Sequence, residues 1–118
     1  MSEILPLLKG TLDLLILKAL SMGPAHGYAL SVWLEGESGG HISVEDSAIY
    51  QALRRLEGRR LVEADWGVTE NNRRARYYQL TSVGERHLRS EAAIWTRYAT
   101  TVNNILAVGG EVPLPERG

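Results

Sequence analysis

The sequence predicts a mainly α domain with one small β-hairpin, followed by a long terminal helix. Three observations predict it. Before residue 60, apolar residues recur at helical spacing in three segments, each bounded by Gly, Pro or a capping residue. The apolar run Leu61 to Trp66, a polar turn and the return run Arg76 to Leu80 then read as two strands of a hairpin. Beyond them Leu88, Ala92, Trp95, Ala99, Val102 and Leu106 recur at 4-3-4-3-4 spacing, an a/d seam two and a half heptads long.

The first helix is expected over Lys9 to Met22, opened by Gly10 or Thr11 and stopped by Gly23-Pro24. Leu12, Leu14, Leu15, Ile16, Leu17, Ala19 and Leu20 wrap most of its circumference. A helix apolar all round is buried on more than one side, and in so small a domain a second copy of the chain is expected to cover one of them. The second helix is expected over His26 to Glu35, with Leu30, Trp33 and Leu34 on one face and His26 as a cap or packing residue. Gly36-Glu37-Ser38-Gly39-Gly40 breaks the chain, and His41-Ile42-Ser43-Val44 alternates as a short strand would.

Asp46 or Ser47 is expected to cap the third helix, which runs to about Arg59. On a helical wheel Ile49, Ala52, Leu53 and Leu56 cluster on one side. Ser47, Gln51, Arg54 and Gly58 cluster on the other, flanked by Ala48, Tyr50 and Arg55. Thr81 and Ser82 begin the last helix, with Glu85 three residues after Ser82 in a capping-box pattern, and Gly109-Gly110 ends it. The expected organisation is a helix and hairpin domain over 1–81, a dimerisation helix over 82–108 and a loose tail over 109–118.

A chain of 118 residues supports one modest core, and its 44% hydrophobic and 23% charged composition is that of an ordinary globular domain. There is no Phe, so Leu, three Trp and five Tyr supply the large core groups. Absence of Cys excludes disulfides and thiolate metal sites. The Met-Ser-Glu-Ile-Leu-Pro start lacks the basic region of a secretion signal, and Leu12 to Leu20 is too short to span a bilayer, so a cytoplasmic location is expected. His26, His41 and His87 have no metal-ligand spacing, and no phosphate loop or nucleophile elbow appears. No cofactor, metal or catalytic residue is expected.

The formal net charge is −1, but it is unevenly distributed. From Arg54 to Arg76 seven arginines face four carboxylates, a local excess of +3. Three of them, Arg73, Arg74 and Arg76, crowd the hairpin turn beside Asn71-Asn72. A cationic hairpin after three helices is the plan of a winged helix-turn-helix DNA binder. The polar face of the third helix, read alone, is an ordinary solvated face. Next to that hairpin it reads as a recognition surface, with Gln51 suited to adenine edges, Arg54 or Arg55 to guanine or phosphate, and Ser47, Ala48 and Tyr50 beside them. On the hairpin, Asn72, Arg73, Arg74 and Arg76 read as a wing on phosphate or in the minor groove. Arg76 has a second reading, a pair with Glu63 or Asp65 across the hairpin. Tyr77 and Tyr78 point to opposite faces, so one of them belongs to the core. Trp95 reads first as an anchor of a dimer seam with Leu12, Ile16, Leu88, Ala92, Ala99, Val102 and Leu106. The sharper reading makes Trp95 an aromatic wall of a pocket at the dimer centre for a small aromatic effector; Trp33 has the same two readings, with core packing first.

Leu8-Lys9-Gly10-Thr11-Leu12-Asp13-Leu14-Leu15-Ile16-Leu17-Lys18-Ala19-Leu20, followed by Gly23-Pro24 and His26-Gly27-Tyr28, resembles the opening of the PadR-like transcriptional regulators. Ile49-Tyr50-Gln51-Ala52-Leu53 with Arg55-Leu56-Glu57 resembles their recognition helix. Trp66-Gly67, Asn71-Asn72-Arg73-Arg74-Ala75-Arg76-Tyr77-Tyr78 and Leu80-Thr81 with Gly84 resemble their wing and its exit. The single terminal helix is similar to that of the short subfamily. The resemblance implies a homodimeric repressor that pairs through its last and first helices, answers in some members to flat aromatic molecules, and is no enzyme. Two positions depart from the pattern: Gln51 stands where Pro is common, and Arg60 where Gly is usual, which implies that Gly58 or a different turn ends the third helix.

The expectation is therefore a dimer that binds double-stranded DNA at an inverted repeat and represses by occluding a promoter. A winged-helix module that binds protein instead of DNA is the alternative, and the acidic net charge suits it.

Overall fold

The chain enters its first helix through Gly10, whose φ of 85° lies in the left-handed region, and α1 runs over Thr11–Leu20. A computed structural model describes residues 3–116. Helix α1 starts two residues later and stops two residues earlier than Lys9 to Met22, and it buries Ile16, Leu17, Ala19 and Leu20.

Helix α2 spans Gly27–Glu37. His26 is its N-cap, and the ring Nδ1 accepts the Ala29 N–H at 3.1 Å. The helix runs two residues past the expected Glu35 because Gly36 is helical. The break falls instead at Gly39 and Gly40, with φ of 63° and 84°. His41 to Val44 is not a strand. The alternation is real, since Ile42 and Val44 touch the core. Its backbone groups, however, go to local partners rather than to a ladder. The Ile42 N–H donates to Ser38 Oγ at 2.8 Å, and the Leu5 N–H donates to the His41 carbonyl at 2.8 Å.

Helix α3 spans Asp46–Gly58, and its N-cap is Glu45, with no side-chain bond. Neither Asp46 nor Ser47 caps it; the Glu45 carbonyl accepts the Ala48 and Ile49 N–H groups. Ile49, Ala52, Leu53 and Leu56 are buried, as the wheel requires. The exit corrects the expectation built on Arg60. The Leu61 N–H reaches the Leu56 carbonyl and the Arg60 N–H the Glu57 carbonyl, both at 3.0 Å. Arg60 itself sits at φ 61°. This is a Schellman ending, with the left-handed position kept and filled by arginine. Holding an L-residue there costs roughly 1–2 kcal/mol. Leu56 and Leu61, both buried, close the ending from the core side.

Strands β1 (Val62–Val68) and β2 (Arg74–Leu80) form an antiparallel pair, longer than expected towards the turn. Val62 faces Leu80, Ala64 faces Tyr78, Trp66 faces Arg76 and Val68 faces Arg74. Tyr78 and Val62 are buried, so this parity faces the core. Tyr78 also exchanges two backbone bonds with Ala25, tying the entry to α2 onto the hairpin.

Helix α4 spans Ser82–Leu106. Its N-cap is Thr81, whose Oγ1 accepts the Gly84 N–H at 3.0 Å and donates to the Arg60 carbonyl at 2.8 Å. Ser82 is thus the first helical residue, and the expected Ser82–Glu85 capping box does not form. The third helical position is Gly84, and a Cβ there would collide with the Leu61 carbonyl. That close approach seats α4 on the end of α3. Leu88 then packs on the core, while Ile105 and Leu106 remain 67% and 76% exposed. The molecule is elongated, 70 × 38 × 21 Å.

Gly84→Ala is expected to lower stability by about 1–3 kcal/mol, since the clash is with backbone and outweighs the better helix propensity of alanine. Gly109→Ala, with open space around it, serves as the control. Urea midpoints of the two variants check this; equal midpoints would mean that the close approach excludes nothing.

Candidate nucleic-acid interface

The core stripe of α3 leaves its opposite face in solvent. Ser47, Tyr50, Gln51, Arg54, Arg55 and Gly58 are exposed, and Ala48 is half-buried. The Tyr50 ring lies over the backbone at the start of α2, where a Cβ on Gly27 would stand 2.6 Å from it. Gly27 therefore leaves room for the end of the Tyr50 side chain over the start of α2.

The arginines divide by what holds them. Arg55 donates to Asp13 of α1 at 2.8 Å, and that bond holds its guanidinium firmly protonated. Arg76 donates to Glu57 of α3 at 2.9 Å and lies 5.6 Å over the Tyr78 ring. The expected pairing of Arg76 with Glu63 or Asp65 is overturned by register. Arg76 faces Trp66, whereas Glu63 faces Gln79 and Asp65 faces Tyr77, on the other side of the hairpin. Gln79 takes Glu63 instead, at 2.9 Å. Among the described residues, Arg54 and Arg73 make no ion pair within 4.0 Å. Arg74 rests 4.5 Å from the centre of the Trp66 ring.

The hairpin turn is a three-residue loop, Glu70-Asn71-Asn72. The Thr69 N–H donates to the Arg73 carbonyl at 2.8 Å and the Asn72 N–H to the Thr69 carbonyl at 2.9 Å. Asn72 takes φ 59°, a conformation asparagine tolerates better than most residues. Its place in the sequence thus has a backbone reason, independent of any ligand. Tyr77 covers the outer side: its ring lies on Gly67, meets the His26 ring edge-on at 5.3 Å, and its hydroxyl donates to the Val68 carbonyl. Of the two neighbouring tyrosines, Tyr78 is the core residue.

An open cleft of about 1110 Å³ lies between the start of α2 and the turn. Tyr50 of α3 and Arg73 and Arg74 of the wing all line it, so one residue of the α3 face borders the same opening as the wing; Ser47, Gln51, Arg54 and Arg55 do not line it. Trp33 lines the same cleft and packs on the core. Trp95 does not; it lines a second cleft of about 380 Å³, between α1 and α4, with Leu14, Ile94 and Tyr98. Trp33 and Trp95 therefore do not wall one pocket within a chain.

Of the residues expected at a dimer seam, Ile16 is 0% exposed inside the core of its own chain and has no surface left for a partner. Leu12 and Leu88 are partly buried against that core. Ala92, Ala99 and Val102 are half-exposed, and Trp95 and Leu106 are exposed. Ile94, Tyr98 and Ile105 lie outside the heptad spacing, yet they are exposed and widen the apolar stripe of α4 to one side. A strict heptad count misses them, whereas the 3.6-residue period places them next to Trp95 and Val102. Asp13 and Glu57, the partners of Arg55 and Arg76, are likewise absent from the residues expected at the site. Among the described residues no group of three potential metal ligands occurs, and no helix is long and apolar enough to cross a membrane.

Residues 16–90 match the model of the transcriptional regulator PadR-like family. A PadR family transcriptional regulator from Eggerthella lenta is 33% identical, covers 86% of each chain and superposes with a TM-score of 0.74. A PadR-like transcriptional regulator from Bacillus cereus is 30% identical over 86% of this chain and 96% of its own, with a TM-score of 0.74. Bacillus subtilis PadR, solved in complex with operator DNA, shares the fold at 20% identity and a TM-score of 0.59, over 91% of this chain and 52% of its own.

Burial raises the pKa of Tyr78, and the nearby Arg76 guanidinium pulls it partly back. Below about pH 10, the ordinary tyrosine value, the folded and unfolded chains both hold the proton and the neutral phenol contributes in full. As pH rises further the unfolded chain ionises first, so stability is lost until the folded value is passed. Urea midpoints should therefore fall between pH 9 and pH 11 more steeply for the wild type than for Tyr78→Phe; parallel declines would rule the linkage out.

Proposed function

The chain belongs to the PadR-like family of transcriptional regulators, and from that premise we propose that it is a sequence-specific DNA-binding repressor acting as a homodimer in the cytoplasm. It is a regulator and not an enzyme. The observation that carries the reading is the shared cleft, which Tyr50 of α3 and Arg73 and Arg74 of the wing line together. The fold shared with Bacillus subtilis PadR, a protein solved on operator DNA, supports it.

In this mechanism α3 enters the major groove. Gln51 and Arg54 read base edges, and Ser47, Ala48 and Tyr50 approach the backbone alongside them. Arg73 and Arg74, with Asn72 shaping the turn, meet the flanking phosphates. Arg55 and Arg76 are held by Asp13 and Glu57 in the free protein and act first as struts. Two subunits pair through the apolar stripe of α4, Leu88, Ala92, Trp95, Ala99, Val102 and Leu106 widened by Ile94, Tyr98 and Ile105, with Leu12 at its edge. The operator is then an inverted repeat with half-sites about 34 Å apart. A small aromatic effector would enter the cleft beside Trp95 and act only by favouring one spacing of the two wings.

Replacing both Arg73 and Arg74 with Ala should weaken binding to every duplex and flatten the dependence of log K on log salt by up to ~2, at about 0.9 per phosphate contact. Gln51→Ala should instead change which sequences are selected from a random pool. A wild-type protein that binds no duplex at low salt would leave the protein-binding module as the answer. Trp95→Glu should give a monomer in sedimentation equilibrium; an unaltered dimer mass would dismiss the α4 stripe as the interface.

A further inference from the structure

Trp66 is 59% exposed, on the hairpin face that beyond the core carries Arg74 and Arg76. A large indole more than half exposed is not a core residue. Its contact is with Arg74, the diagonal neighbour across the strands, at 4.5 Å from guanidinium carbon to ring centre.

The three held arginines of this surface are held in two different ways. Arg55 and Arg76 are each bound by one carboxylate oxygen, which takes one N–H donor and offsets the charge. The hold on Arg74 is a cation–π contact, its guanidinium carbon over the indole ring, and among the described residues no protein acceptor takes one of its guanidinium N–H groups. All five of its donors lie in the guanidinium plane and stay free, and the charge is undiminished. A contact with the indole thus orients a phosphate-binding arginine with no carboxylate for the phosphate to displace. It also lowers the number of side-chain rotamers that Arg74 must give up on binding.

We propose that Trp66 is a positioning residue for DNA binding, its indole face presenting Arg74 to the sugar-phosphate backbone. The proposal rests on the reading that the wing meets DNA. Exposed cation–π contacts are worth about a two- to five-fold change in an equilibrium constant, so the effect is modest and measurable.

The test is anisotropy of a labelled mixed-sequence duplex across a salt series, with wild type, Trp66→Leu, Trp66→Phe, Arg74→Ala and the double variant Trp66→Leu with Arg74→Ala. Urea midpoints run alongside establish that each variant is folded. Trp66→Leu is expected to weaken binding about two- to five-fold, by the strength of the stack. Trp66→Phe, which keeps an aromatic face, should restore most of that loss, and Trp66→Leu should have no further effect once Arg74 is gone. If Arg74→Ala weakens binding and Trp66→Leu does not, the role of Trp66 falls while the wing reading stands. That role falls too if Trp66→Leu weakens the Arg74→Ala protein as much as the wild type, for the indole then acts on its own. If Arg74→Ala changes neither affinity nor salt slope, the wing does not meet phosphate and both readings fall together.

Discussion

The register of one strand pair governs the rest of this molecule. Tyr78 lies opposite Ala64, exchanges backbone bonds with Ala25 and turns its ring into the core. A slip of one residue would send every hairpin side chain to the other face. With the register set, Arg76 falls beside Glu57, Arg74 over Trp66, and Tyr77 onto Gly67 and the cap of α2. The wing is thereby fixed to both helices of the candidate DNA surface, to α3 through Arg76 and to α2 through Tyr77 and Ala25. A surface that must match the spacing of a groove and its flanking backbone needs this kind of hold, because backbone contacts fix register and orientation before any base is read.

The charge of the surface is then sorted by geometry rather than by number. Seven arginines lie between positions 54 and 76, yet two are tied to carboxylates and one closes a helix. Exposed ion pairs contribute at most about 1 kcal/mol, and the Arg55 side chain is half-exposed. Asp13 and Glu57 thus set where the cations point without holding them strongly. A phosphate arriving at Arg55 would displace Asp13 at little cost, so the pair links α1 to the candidate DNA surface as a contact that can be exchanged.

How much of this the sequence discloses depends on the range of the interaction. The two faces of α3 are legible because a 3.6-residue period is a local property, and burial follows it residue by residue. The hairpin and its charged tip are legible because alternation and turn residues are local too, whereas Gly84 enters only through the family resemblance and the Ser82–Glu85 pattern points one residue past the cap. The partners of Arg55 and Arg76 are not, since Asp13 and Glu57 lie 42 and 19 residues away and only the packed fold brings them near. Local rules also mislead where two of them compete. Alternation at His41 to Val44 describes contact with the core correctly, but Ser38 and Leu5 take the backbone bonds. The absence of Gly at position 60 argues against a left-handed residue there. The Leu56 to Leu61 closure and the bond from Thr81 to the Arg60 carbonyl hold one in place regardless. Ile16 looks available to a partner because a helix apolar all round does not say which sides face inward.

Helix α4 reaches past the single chain. A helix of 25 residues whose second half touches little of its own domain is marginal on its own in water. In the proposed dimer, the exposed apolar side chains from Ile94 to Leu106 are one half of the packing between subunits. A second copy of the same stripe is the partner of matching chemistry that a two-fold axis supplies. Trp95 and Tyr98 belong to that stripe and also line the cleft against α1. A molecule filling the cleft and a partner helix would therefore press on the same side chains. In the dimer we propose, the angle between the two copies of α4 sets the distance between the wings. Anything that repacks Trp95 then changes DNA affinity without touching the DNA surface, and it does so through the element the two subunits would share.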